Sequence, residues 1–163
     1  MKRSVCVCVI ALMMMGVGSG CNAYRRQPRL TSATITPAQL QPGDTAVITV
    51  TVERDRFNIV DKVSAVVRED PRMKFDLKDD GTPPDEEAGD GVWSLLVDVP
   101  FMAPPGDFTL ELTGYDEDGN VIPVLGPEGG EMPLSTTCVF SVEHPLAEDN
   151  EQETSDHQPS EDE

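Results

Sequence analysis

An all-β fold, an antiparallel β-sandwich of seven or eight strands, is what this sequence predicts, and three observations carry it. Apolar and polar residues alternate with period two through the middle of the chain, the mark of strands with one face in water. Clusters of Pro, Gly and Asp interrupt the alternation roughly every 8 to 15 residues, as turns between short strands do. Aromatic content is only 5% with a single Trp, while Val, Thr, Pro and Gly abound and runs of helix formers are scarce.

Taken in order, Thr31 to Thr36 is a weak first strand. Pro42-Gly43-Asp44 then turns the chain into the clearest strand, where Ala46, Ile48, Val50 and Val52 face one way and Thr45, Thr49 and Thr51 the other. Val63, Ala65 and Val67 form the next apolar row. Met73, Phe75 and Leu77 follow, interleaved with Lys74, Asp76 and Lys78 on a wet face. Trp93, Leu95, Val97 and Val99 alternate with Ser94 and Asp98, and Phe108, Leu110 and Leu112 with Thr109, Glu111 and Thr113. Val121 to Leu125 is a second weak strand, and Thr136, Cys138, Phe140 and Val142 close the series. Strands this short and this evenly spaced favour a sandwich of the immunoglobulin type over any βαβ arrangement.

The two ends differ from this middle. Lys2 and Arg3 precede an apolar run from Val5 to Met15 and a small-residue stretch from Gly16 to Gly20, which is the layout of an export signal. The apolar run is short for a membrane span, which needs about 20 residues. Gly18-Ser19-Gly20-Cys21 resembles the lipobox of bacterial lipoproteins, although Gly18 stands where that family usually has Leu. The resemblance implies a diacylglyceryl group on Cys21 and a membrane anchor. Gly18 and Gly20 equally suit an ordinary signal peptidase cutting at the same bond, which would leave a soluble secreted protein. The expected organisation is therefore a signal peptide over residues 1–20, a tether with lipidated Cys21 over 21–29, the sandwich over 30–143 and a disordered acidic tail over 144–163.

Formal net charge is −18, and losing Lys2 and Arg3 with the first twenty residues leaves −20. Such a surface repels nucleic acid. The tail carries acids from Glu148 to Glu163 with no Lys or Arg and too little apolar surface to fold, so it reads as a solvating segment. Cys6 and Cys8 fall in the leader and Cys21 at the cleavage point. Cys138 is left as a free thiol, expected to be a small buried hydrophobe on the core side of its strand. Stability then comes from burial rather than from disulfides.

Three stretches resemble immunoglobulin-like modules of bacterial surface and secreted proteins. The first is Ile35-Thr36-Pro37 followed by Gln41-Pro42-Gly43-Asp44. The second runs from Leu77-Lys78-Asp79-Asp80-Gly81-Thr82 through Asp85 to Ala88-Gly89-Asp90-Gly91-Val92-Trp93, like the DDGT…D…AGDGVW signature of those modules. The third is Pro104-Pro105-Gly106-Asp107-Phe108 leading to Asp116-Glu117-Asp118-Gly119-Asn120. The resemblance implies a fold and an extracytoplasmic setting; the family shares no common reaction.

Asp79, Asp80, Asp85 and Asp90 concentrate four carboxylates in one loop with Gly81, Gly89 and Gly91. Calcium takes six to eight hard oxygen ligands, so these four are its candidate ligands. Asp-Gly pairs are also turn formers in their own right, and the spacing is not that of an EF-hand. Asp116 to Asn120 reads first as a hairpin turn. His144 and His157 lie at the domain edge and in the tail, away from any triad or zinc spacing. No nucleophile–base pair, phosphate loop or nucleotide fingerprint stands out, so the expectation is a non-enzyme. The leading expectation is a membrane-anchored structural or adhesive module of the cell envelope that binds an envelope protein or polysaccharide. The alternatives are a secreted carbohydrate-binding domain using Tyr115 and Phe101, and a calcium-stabilised surface module.

Overall fold

Alternation fixes which side chains of a strand leave water, and the computed structural model of the chain, which describes residues 27–144, follows it closely. The expected signal peptide, Cys21 and the acidic tail from 145 onward lie outside the described residues. Ten strands form: β1 (Arg29–Thr36), β2 (Gln39–Leu40), β3 (Thr45–Glu53), β4 (Lys62–Val67), β5 (Asp70–Leu77), β6 (Val92–Asp98), β7 (Gly106–Tyr115), β8 (Pro123–Leu125), β9 (Glu131–Pro133) and β10 (Ser135–Val142). No helix occurs among the described residues. The expected seven or eight strands become seven long ones and three short ones. β2 and β9 escape sequence reasoning because two or three residues are too few to show a period.

One sheet has the order β1-β3-β6 and the other β2-β10-β7-β4-β5, with β8 and β9 as a separate hairpin. In immunoglobulin lettering β1, β3 and β6 take the places of A, B and E, while β4, β7 and β10 take those of C, F and G, with β5 beside β4 in the C′ place. The expected sandwich of immunoglobulin type is therefore observed. It departs from pure antiparallel pairing at one point, where β2 runs parallel to the end of β10 through Gln39↔Ser141 and Leu40↔Val142.

The dry interior is the meeting of the two inner faces. Ala46, Ile48 and Val50 of β3 are buried, and so are Val63, Ala65 and Val67 of β4 and Leu110 and Leu112 of β7. Trp93 of β6 and Cys138 of β10 are partly buried and pack against this cluster. β1 reaches it at both Leu30 and Ile35, five positions apart, which strict alternation forbids. A bulge solves this: the β1–β3 register slips between Thr31 and Thr34, with Ser32 at φ 52°. On the outer face of the second sheet, Asp76 of β5 accepts bonds from Lys62 Nζ at 2.8 Å and Ser64 Oγ at 2.6 Å across on β4. These bonds, the Lys62 bond foremost, hold the Asp76 carboxyl below its ordinary range.

The sandwich starts ahead of the expected boundary at residue 30. Gln27 mimics a strand partner for Leu125: its Nε2 donates to Leu125 O at 2.6 Å and its Oε1 accepts from Leu125 N at 2.8 Å. Gln27 to Arg29 thus belong to the domain rather than to a free tether. The β8–β9 hairpin in turn is stitched on by Ile122 N to Gly114 O and Gly114 N to Leu134 O. Gly114 has no side chain because Leu134 leaves no room for one: a Cβ there would lie 2.8 Å from Leu134 Cδ2.

Leu112 is fully buried at the centre of the five-stranded sheet. Leu112→Ala is expected to lower unfolding free energy by about 2–5 kcal/mol through lost transfer energy and a residual cavity. A urea midpoint measurement with an unchanged slope checks this.

Candidate functional site

Strand directions place the loops at two poles. β1 begins opposite the end of β3 through Arg29↔Glu53, and Val92 at the start of β6 faces Thr51 near that same end. The chain therefore enters the sandwich at the pole that carries the β5–β6 loop with its four aspartates. The other pole carries the β6–β7 loop, the β4–β5 turn and the end of β10.

Backbone amides build the aspartate loop. Asp79 Oδ1 accepts from Gly89 N at 2.7 Å and Asp79 Oδ2 from Gly91 N at 3.1 Å, so this carboxylate ties the far end of the loop to its start. Asp90 Oδ1 accepts from Val92 N at 2.7 Å, and Asp85 Oδ2 from Gly81 N at 2.6 Å. Gly91 sits at φ 85° with its carbonyl accepting from Val52 N at 2.7 Å; a Cβ there would stand 3.0 Å from Val52 O. That combination of left-handed backbone and close strand contact requires glycine.

Three of the four expected residues come together. Asp79, Asp85 and Asp90 each present one carboxylate oxygen, and the three oxygens lie within 4.8 Å of one another. Asp85 is 5% exposed, and its Oδ1 is buried without a hydrogen-bond partner. Ser94 Oγ, on β6 where Lys78 bridges to it, is the other such atom among the described residues. Asp80 does not join the group. Its Oδ1 accepts from Thr82 N at 2.9 Å and its Oδ2 stands 3.6 Å from Lys78 Nζ. The Thr82 amide, ahead of the Lys78 charge, holds the Asp80 carboxyl below its ordinary range. Asp80 is therefore a turn residue, and the structure groups three of the four expected aspartates.

Asp116 behaves as a hairpin former, as expected. Its Oδ1 accepts from Asn120 N at 2.8 Å and Asp118 N at 3.1 Å, and Gly119 N donates to its carbonyl at 3.0 Å.

The opposite pole holds a feature that the sequence hides. A cleft of about 430 Å³ opens between the sheets, floored by Phe108 and Phe140 and walled by Met73 and Phe75 of β5 and Val97 of β6. Its origin is the unequal width of the layers. Strands lie about 4.8 Å apart, so three of them cannot cover five, and Met73 and Phe75 on β5 stay partly exposed while Leu77 is buried. Phe108 and Phe140 stack with ring centroids 5.4 Å apart. Arg72 closes the rim on Asp70, with Nε to Oδ1 and Nη2 to Oδ2 both at 2.8 Å. Phe101 and Met102, in the adjoining β6–β7 loop, are 82% and 92% exposed. Met73, Phe75 and Val97 read in the sequence as ordinary core rows, and nothing in a linear pattern reports how many strands lie opposite. The exposure of Met102 has no sequence signal beyond its place in a Pro-rich loop.

Other expected residues are placed plainly. Tyr115, with Lys74 Nζ 5.9 Å from its ring centroid, is only partly exposed and lies at the aspartate pole, so it shares no surface with Phe101. His144 Nε2 is 2.8 Å from Ala103 O, and His157 lies outside the described residues. Cys138 is half-buried, and burial pushes its thiol up from the ordinary value. No described helix is long and apolar enough to cross a membrane.

No protein-family model matches the sequence, and comparison with curated proteins returns no significant match. Among solved structures, the chain is similar to an alkylpurine DNA glycosylase of Pseudomonas fluorescens bound to DNA containing an abasic-site analogue, at 14% identity and a TM-score of 0.39. The match covers 71% of this chain but 30% of the glycosylase, so the chain spans under a third of that protein's length. It is also similar to the CARDB domain of a Pyrococcus furiosus protein in complex with di-metal ions, at 16% identity and a TM-score of 0.40 over 72% of this chain and 94% of that one. Scores of this size carry no argument about function, and the fold rests on the strand order given above.

Asp79→Ala is expected to cost about 1–3 kcal/mol, because it leaves the amides of Gly89 and Gly91 without their acceptor. Asp80→Ala, at an exposed turn, is expected to shift the thermal midpoint markedly less. Alkylation of native Cys138, followed at its peptide by mass spectrometry, is expected to be at least about tenfold slower at pH 7 than in the unfolded chain. Its rate should go on rising with pH beyond about 8.5, where an ordinary thiol levels off, since burial disfavours the thiolate.

Proposed function

We propose that the chain is a membrane-anchored cell-envelope lipoprotein whose immunoglobulin-like sandwich is a non-enzymatic structural or adhesive binding module. The carrying observation is polarity. The chain enters the domain at one pole, six residues after Cys21, and the apolar cleft with Phe101 and Met102 opens at the other. Six extended residues span at most about 20 Å, so a lipid on Cys21 holds the entry pole near the bilayer and presents the cleft away from it.

One loop of the entry pole suits that placement. Its β3–β4 loop exposes Phe57 between Arg56 and Asn58, with Arg54 close by, in a chain that is otherwise strongly acidic. Aromatic and basic side chains together favour a lipid–water boundary. Asp55 fixes this loop by accepting from Ile59 N at 2.8 Å and Val60 N at 2.9 Å. Two or three acyl chains, at about 0.8 kcal/mol per buried methylene, make the attachment effectively permanent. The partner is then a protein or polysaccharide of the envelope that offers an apolar group to the distal cleft, where burial supplies the favourable term.

Growth with a lipid analogue tests the anchor. The native chain is expected to incorporate label and remain with the membrane fraction, whereas Cys21→Ser is expected to do neither. Equal labelling of both would remove the lipoprotein reading.

A further inference from the structure

We infer that Asp79, Asp85 and Asp90 form a calcium-binding site at the base of the β5–β6 loop. Calcium binds oxygen at about 2.4 Å, so two ligands of one ion are at most about 4.8 Å apart. The three carboxylate oxygens meet that limit pairwise. A single ion bridging all three requires this closeness, and calcium's Ca–O range of about 2.3–2.6 Å lets small side-chain shifts complete it.

A second observation is independent of the clustering. Asp85 is 5% exposed, and its Oδ1 has no partner while its Oδ2 is satisfied by Gly81 N. A buried carboxylate oxygen left bare is costly, and the fold keeps one beside two further carboxylates. A cation at that point removes both the orphaned acceptor and the repulsion. The lysine next to the loop, Lys78, does not serve, because it turns to Asp80.

The existing bonds leave room for the ion. Each oxygen of Asp79, and Oδ1 of Asp90, accepts one backbone N–H and keeps a second lone pair for a metal. The donor set is oxygen only, which selects calcium, magnesium or manganese over zinc or copper. Magnesium demands a near-ideal octahedron at 2.0–2.1 Å and sheds water reluctantly, whereas calcium accepts irregular shells completed by water. Three carboxylates on a glycine-bearing loop match the second pattern. An affinity of about 10⁻⁴–10⁻³ M, the range of extracellular modules, is expected.

The site stands independently of the lipid on Cys21, and its test does not depend on the anchor. Calorimetric titration of the purified full chain, stripped with a chelator, with calcium chloride is expected to give one stoichiometric site. The melting temperature should climb with calcium concentration, because binding favours the native state. Asp85→Asn and Asp90→Asn are expected to weaken binding at least about tenfold, and Asp80→Asn to change it less than about twofold. Magnesium chloride at equal concentration controls for diffuse binding to the acidic tail, which responds to both ions alike. If Asp85→Asn does not fold, the exposed Asp90→Asn decides. Absence of a stoichiometric site, equal stabilisation by magnesium, or unchanged affinity in Asp90→Asn would overturn the inference.

Discussion

The dry contact between β3 on one sheet and β4 and β7 on the other is the constraint from which the remaining features follow. Ile48 and Val50 on one side, with Val63, Ala65, Leu110 and Leu112 on the other, are all but inaccessible to water. Apolar burial contributes about 25 cal/mol per Å², and no disulfide joins the described residues. The seven strands that carry or flank this contact are fixed in register by it, since a slip of one residue would turn every inward row to solvent. The loops inherit their positions from that register. Gly91 can bring its carbonyl to Val52 N only because Val92 is locked opposite Thr51.

The two poles express different physics from the same scaffold. At the entry pole, polar backbone and carboxylates dominate, and geometry comes from amides donated to Asp55, Asp79, Asp85, Asp90 and Asp116. At the distal pole, apolar surface remains where the three-stranded sheet faces the five-stranded one. Arg72 and Asp70 satisfy each other at the rim, so charge borders the cleft without entering it.

Much of the fold was legible because the strands with one dry face keep strict alternation. The rows Ala46-Ile48-Val50 and Val63-Ala65-Val67 stand out in the sequence and are buried in the structure. β1 was only weakly legible, since the bulge at Ser32 shifts its phase and puts Leu30 and Ile35 on the same side. The aspartate loop was legible as composition, but its division was not. Asp80 and Asp85 look equivalent in sequence, yet one captures the amide two residues ahead and the other is carried inward by the turn in which its own amide bonds Thr82 O at 3.0 Å. The cleft was not legible at all, because it depends on a comparison between sheets that no single segment encodes.

The Gln27 clamp bears on mechanics. A pull on the chain ahead of Gln27 first meets its two bonds to Leu125, and behind them the β1–β3 ladder, whose six residue pairs run along the strand from Arg29 to Thr36. When the opposing load is applied at the far end of the domain, that ladder is sheared rather than unzipped. Its bonds then share the force and must yield together, so the geometry suits a domain held under tension between two attachments.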